Sequence, residues 1–354
     1  MDTSRALALS VFASYFLIIL ALFSSIVSGI TTTRRVVSGG KTLTFVGLAL
    51  ASFAHTWLYM FKFLAWSFHE FEHSNAVAAG SILERTSNWL LNTGLFEQAW
   101  TAVCRKPINW WWSEQLCLFT VGAWTIFLAV EGRRHQVKNL WAYMLLGQLV
   151  AISVASNLFY VALLMSPTQR PTQRQAVSQT WTVLTMSVVL ALATVALSPL
   201  TSENTFLWNL LTMHSIILLP LIRLPILERR PSEIGVSIKS LYTLVLVASL
   251  AIRSRTILNT AAATQEQSPF GLLAQAWSTL HSHPAQASIG WDVIWTSISF
   301  IAWVSLRDAG EAAVAKREDV PYLMLTTPLV SVGLTAPYIL REDGPSAEGE
   351  VKKE

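Results

Sequence analysis

Hydrophobic and polar residues fall along this chain in long blocks. Apolar runs occupy residues 6–30, 43–66, 110–131, 140–165, 181–199, 206–222, 240–252, 290–304 and 322–340, with polar, charged or proline-bearing stretches between them. A helix rises about 1.5 Å per residue, so roughly 20 apolar residues cross the ~30 Å hydrocarbon layer of a bilayer. The pattern therefore predicts an all-α, polytopic membrane helix bundle with eight or nine spans. Residues 1–340 read as a single integral membrane domain, and 341–354, where acids and bases take turns, as a disordered polar tail. The first run is longer than the apolar core of a signal peptide and has no clear small-x-small cleavage site, so it reads as a retained span.

The third run is the most informative. Pro107 suits a first helical turn, where its missing N–H costs nothing. Trp110, Trp111 and Trp112 follow, and Arg133 and Arg134 close the segment, which is how interfacial anchors flank a span. Glu114 and Glu131 sit at the two ends of the apolar stretch. Carboxylates there are costly unless they are paired, wet or functional. For Glu131 an ion pair with Arg134 at i+3 stands beside a chemical role.

Polar groups inside other runs mark further candidates. His55, Tyr59, Lys62 and Trp66 recur at spacings of 4, 3 and 4 and so share one helical face. Ser153, Asn157 and Tyr160 share another, with Asn157 well inside its apolar run. His214 lies within the sixth. In 290–304, Asp292, Trp295, Thr296, Ser299 and Trp303 form a stripe of one acid, two hydroxyls and two indoles. An acid on such a face is a functional candidate, against the plainer role of a helix-terminal charge. His55, Tyr59 and Asn157 are expected to line an interior pocket, because lipid offers their polar groups no partner.

Two long interruptions, 67–106 and 253–289, read as amphipathic surface helices or lids. The first opens with His69-Glu70-Phe71-Glu72-His73. These are metal-ligating residue types without further ligands at recognisable spacing, so no metal or other cofactor is expected.

Composition agrees with a bilayer. The chain is 53% hydrophobic and 13% charged with a mean hydropathy of +0.46, against about 25% charged in soluble domains. A net charge of +4 with no basic block longer than a pair argues against nucleic acid as a partner. Cys104 and Cys117 cannot make a disulfide framework. On nine spans the basic side chains divide 13 against 11 between the two faces, too evenly to fix orientation. Nine spans put Asp292 and Glu131 on one side; if one run does not cross, Glu114 joins Asp292 instead.

Three segments carry a resemblance: Trp110-Trp111-Trp112-Ser113-Glu114-Gln115, Phe127 to Arg134, and Gly290-Trp291-Asp292-Val293-Ile294-Trp295. They resemble fungal integral-membrane terpene cyclases, above all those acting on prenylated aromatic meroterpenoids of the ascofuranone and macrophorin type. The resemblance implies a membrane enzyme, placed in the endoplasmic reticulum, that protonates an epoxide or olefin of a lipophilic prenyl chain and cyclises it. The chain differs from the shorter seven-span meroterpenoid cyclases, in which two acids on separate helices do acid–base work. Which of Glu114, Glu131 and Asp292 correspond to those acids stays open.

The residues are compatible with that chemistry. A carboxyl held in a dry, apolar site can stay protonated and donate. Indole faces stabilise a carbocation by about 2 kcal/mol or more when desolvated. On this reading Asp292 is the acid, Glu131 or Glu114 its partner, and His55, Tyr59, Asn157, Trp295 and Trp303 bind the substrate. A small-molecule membrane transporter is the alternative; it would use the same intramembrane polar groups, with internal repeats and broken half-helices at matching positions. The sequence shows no repeat.

Overall fold

The computed structural model describes residues 3–32, 39–75, 80–166, 182–222, 236–266, 268–307 and 319–341. Beyond Arg341, the expected tail lies outside them, as does the connector after Ser166. The described residues are an all-α polytopic bundle. Seven of their helices are long and apolar enough to cross a membrane. These are α1 (Thr3–Thr32), α2 (Gly39–Asn75), the unit α5 (Pro107–Leu118) with α6 (Thr125–Arg134), α9 (Thr182–Leu197), α10 (Glu203–Ile216), α11 (Ile238–Thr264) and α13 (Pro284–Leu306). A π-helical segment, Phe119–Trp124, joins α5 to α6 without a break.

The eight or nine expected spans reduce to seven because two apolar runs fold back on themselves. Run 140–165 is two half-helices, α7 (Leu140–Leu149) and α8 (Ile152–Met165), broken at Val150 and Ala151. The rings of Tyr143 and Phe159 lie 5.4 Å apart across that break; in a continuous helix, 16 residues would separate them by roughly 24 Å. Gly147 permits the sharp return, since a Cβ there would meet the Ile152 Cδ1 at 2.6 Å. Run 322–340 behaves alike. It splits at Ser331 into α14 (Asp319–Val330) and α15 (Val332–Leu340), with Thr327 and Thr335 hydroxyls 3.0 Å apart and Tyr322 and Tyr338 rings 6.0 Å apart. Ser331 takes φ 139°, a conformation costly for any residue with a side chain.

Each hairpin packs on the span that precedes the other. α8 runs beside α13: Asp292 bonds to Ile152 and Ser153, Asn157 to Ser299, and Tyr160 stacks on Trp303. α15 starts beside α5, where a Cβ on Gly333 would lie 2.8 Å from Leu118 Cβ and 3.2 Å from the Phe119 nitrogen. α5 and α13 themselves run parallel. Ala285 clusters with Val103 at their starting end, and Phe119 meets Phe300 at 6.4 Å further along. Each begins with proline and carries an acid two turns in, Glu114 as the eighth residue and Asp292 as the ninth. An antiparallel span flanks each: α11 on α5, through Thr260 to Pro107, and α2 on α13, through Ser288 to Thr56. The fold thus contains two units of one plan, span plus hairpin, that short sequence likeness does not disclose.

The remaining short helices, α3 (Ile82–Asn92), α4 (Leu95–Cys104) and α12 (Pro269–Leu280), gather at the end where α5 and α13 begin. α4 precedes α5 and packs on α13. α12 precedes α13 and packs on α5, with Trp112 donating to the Ala276 carbonyl at 2.8 Å. These are the surface elements expected within 67–106 and 253–289. Part of each interruption is instead span: α2 runs to Asn75 and α11 to Thr264.

Among the described residues, Arg5, Arg85, Arg105 and Lys106 are the basic residues of the face bearing α3, α4 and α12, and Lys41, Arg133, Arg134, Lys138, Lys239, Arg307 and Arg341 lie at the opposite end of the bundle. Lys62, Arg253 and Arg255 lie within spans.

Candidate functional site

Asp292 and Glu114 are both buried in the half of the bundle where α13 and α5 begin, roughly 12 Å and 10 Å along them from their first residues. The Asp292 carboxylate accepts the backbone N–H of Ile152 at Oδ2 and of Ser153 at Oδ1, both at 2.9 Å. These are the first two N–H groups of α8, which have no intrahelical partner and carry the positive end of the helix dipole. The sequence weighed Asp292 as a charge at its own helix terminus; the structure makes it the cap of another helix, in mid-bundle.

Glu114 is fully buried, and its Oε2 accepts from Arg253 Nη1 at 2.8 Å. Its Oε1 is buried with no hydrogen-bond partner among the described residues. Arg253 also donates to the Trp111 carbonyl at 3.0 Å and, through Nε, to the Val330 carbonyl at 3.1 Å, while its guanidinium lies 4.1 Å over the Trp111 ring. Val330 ends α14, so the cation sits at the negative end of that half-helix. Each hairpin tip is therefore held by a buried charge of the sign its exposed backbone asks for: an acid at the N-terminus of α8, a base at the C-terminus of α14.

Glu131 is elsewhere. It lies 17 residues beyond Glu114 on the same span, roughly 25 Å away towards the opposite end of the bundle, half-buried and paired with Arg134 at 2.7 Å and His135 at 3.8 Å. The parallel course of α5 and α13 puts Glu114, and not Glu131, on the side of Asp292. This reverses the pairing expected on nine spans.

The other candidates divide into two groups. Asn157 and Trp303 are interior. Asn157 donates to Ser299 Oγ and to the Ser153 carbonyl, each at 2.8 Å, and Trp303 stacks on Tyr160 with centroids 4.7 Å apart and planes 8° from parallel. His55, Tyr59 and Trp295 are only half-buried, on the outer side of the α2–α13 contact. There Trp295 donates to His55 Nδ1 at 3.1 Å, and Tyr59 and Trp291 pack on the imidazole. The expectation of one interior pocket holding His55, Tyr59 and Asn157 thus splits across two faces of α13. His214 bonds the Leu210 carbonyl of its own helix. In the run 69–73, Glu72 pairs with Arg85 at 2.7 Å, and no group of three potential metal ligands gathers among the described residues.

Sequence reasoning missed Arg253, because the seventh run was taken to stop at its first charge. Seven residues separate Arg253 from Thr260, and seven separate Glu114 from Pro107, so the antiparallel register that bonds Thr260 to Pro107 brings the two charges together. Trp111 and Trp291 were also missed, the first having been read as an interfacial anchor.

These features define a polytopic helical membrane protein with two inward-folded half-helix hairpins and sealed charges at their tips. A family model described as a protein of unknown function, DUF2834, matches residues 99–165, the stretch that holds the first span-and-hairpin unit. No curated protein and no solved structure matches the chain.

Proposed function

We propose that this chain is a membrane-bound terpene cyclase that protonates an epoxide or olefin in the prenyl chain of a lipophilic prenylated aromatic compound, in the endoplasmic reticulum membrane. Asp292 and Glu114 are its acid–base pair. The observation that carries the reading is the burial of two carboxylates in the same half of a bundle with an aromatic interior, with one oxygen of Glu114 left unbonded among the described residues. Both acids lie in segments that resemble the meroterpenoid cyclases. The Trp303 indole and the Tyr160 ring supply aromatic faces able to meet a cation. Glu114 Oε1 is the oxygen open to a proton, and Asp292 holds the α8 tip that frames the interior.

A transporter is the second reading, favoured by one observation: two half-helix hairpins in units of one plan, the arrangement that places transporter substrates at the repeat interface. Microsomes carrying the chain, fed with prenylated phenols and their terminal epoxides, are expected to yield cyclised products by mass spectrometry. Radiolabelled solute uptake into sealed vesicles without any product would establish the transporter instead.

A further inference from the structure

Trp295 donates its indole N–H to Nδ1 of His55 at 3.1 Å. A neutral imidazole that accepts at Nδ1 carries its proton at Nε2. That N–H donates to no described residue, and the ring is half-buried on the outer side of the bundle. Trp291, whose centroid lies 4.3 Å from the imidazole, has an indole N–H that is likewise unbonded among the described residues. Two turns along α2, the Lys62 ammonium lies 5.0 Å over the Tyr59 ring. The His55 Nε2–H and the Lys62 ammonium are thus the donors of one aromatic face, with the Trp291 N–H buried behind it.

The depth makes these donors informative. Trp291 is seven residues into α13, roughly 10 Å below the end that bears α12, and Thr56, next to His55, is tied to Ser288 at 3.1 Å. Hydrocarbon offers no acceptor there, and an unsatisfied donor in lipid costs several kcal/mol.

We propose that His55, Tyr59, Trp291 and Trp295 bind the oxygen-bearing aromatic head of a lipophilic ligand that arrives from the bilayer. The His55 Nε2–H donates to a carbonyl or phenolic oxygen, and the Trp291 indole packs on the ligand's ring. Trp295 fixes the tautomer and is a positioning residue. The face is rich in donors and poor in acceptors, which selects an acceptor ligand over a plain hydrocarbon. The proposal rests on the cyclase reading for the ligand's class, a prenylated aromatic, but not for the existence of the site.

The test uses the full chain in lipid nanodiscs and two probes, a farnesylated salicylaldehyde and farnesylbenzene, which lacks oxygen. The wild type is expected to bind the aldehyde about tenfold tighter than the hydrocarbon. His55→Phe, which keeps a ring and removes the donor, brings that ratio near one, and His55→Asn, which keeps an N–H, restores part of it. A ratio unchanged in His55→Phe, or no preference in the wild type, overturns the site. A diazirine version of the aldehyde, used on the wild type alone, covers a variant that fails to accumulate. Labelling within 53–60 or 289–296 is expected, and labelling confined to other helices overturns the site. Binding is read without turnover, so the two readings separate. A His55-dependent preference with no cyclised product removes the cyclase and leaves the site; product formation with an unchanged ratio removes only the site.

Discussion

Arg253 donates to Glu114 across 2.8 Å in a part of the bundle where both side chains are sealed, and the same guanidinium closes the C-terminal end of a half-helix at Val330. One cation thus links α5, α11 and the second hairpin. Its counterpart at the first hairpin is Asp292, which closes the N-terminal end of α8. The two hairpins are held in the bundle by these charges, by side-chain packing over Gly147 and by close backbone packing at Gly333.

Breaking the ion pair from one side is expected to be severe. Arg253→Met leaves a buried carboxylate and an uncapped carbonyl and should cost about 3–5 kcal/mol. Arg253→Met combined with Glu114→Leu should recover a large part of that loss. Thermal unfolding of the four proteins of this double-mutant cycle in detergent measures the coupling; additive losses would show that the pair does not act as one.

Asp292→Asn separates support from chemistry. An amide offers one oxygen where the carboxylate offers two, so one N–H at the α8 tip loses its partner, at about 1–3 kcal/mol. Cyclase turnover should fall by about 10²–10⁴-fold, and Glu114→Gln should fall comparably, while Glu131→Gln should change little. Product formation per unit of folded protein in microsomes reads this out. Near-full turnover of Asp292→Asn at normal abundance would reduce Asp292 to a cap.

Gly333→Ala is a small change in a place with no room. The new Cβ would stand 2.8 Å from Leu118 Cβ and 3.2 to 3.3 Å from backbone atoms of Phe119 and Gln115, which cannot move aside as a side chain can. A loss of about 1–3 kcal/mol is expected, seen as a lower thermal midpoint. Gly29→Ala, with nothing within 4 Å, is the control and should be neutral or better.

Topology can be checked without function. Reporters fused after Lys138 and after Ser166 should report the same side of the membrane, because α7 and α8 leave and return at one face. Opposite sides would restore a crossing for 140–165, making eight, and would put Glu131 rather than Glu114 on the side of Asp292.

The N-terminus of α3 offers a pH-dependent feature outside the spans. Ser81 and Glu84 form a capping box, and hydrogen bonds from the Ser81 backbone and hydroxyl hold the Glu84 carboxyl below its ordinary range. A lowered acid adds stability that is complete above its unfolded pKa, about 4.3, and is lost as pH falls through the lower folded value. Hydrogen exchange at the first turn of α3 should therefore quicken below about pH 4 in the wild type. In Glu84→Gln it should be insensitive to pH after correction for intrinsic rates.

The sequence by itself determined the solvent of this protein and the inventory of its interior. Block-like hydropathy requires helices in a bilayer, and an acid or imidazole inside an apolar run must find a partner, so Asp292, Glu114, His55 and Asn157 were legible as residues of consequence. What the sequence could not decide is which apolar runs cross. A hairpin of two half-helices and a tilted span have the same composition and nearly the same length. The breaks at Val150–Ala151 and Ser331 carry neither glycine nor proline, and their backbone groups are satisfied by Asp292 and Arg253, distant in the chain by 139 or more residues and by 77. Only tertiary packing brings those charges to the breaks. With the crossings at seven, Glu114 replaces Glu131 on the side of Asp292. The pairing of acids follows from the parity of the spans, which short-range patterning does not encode.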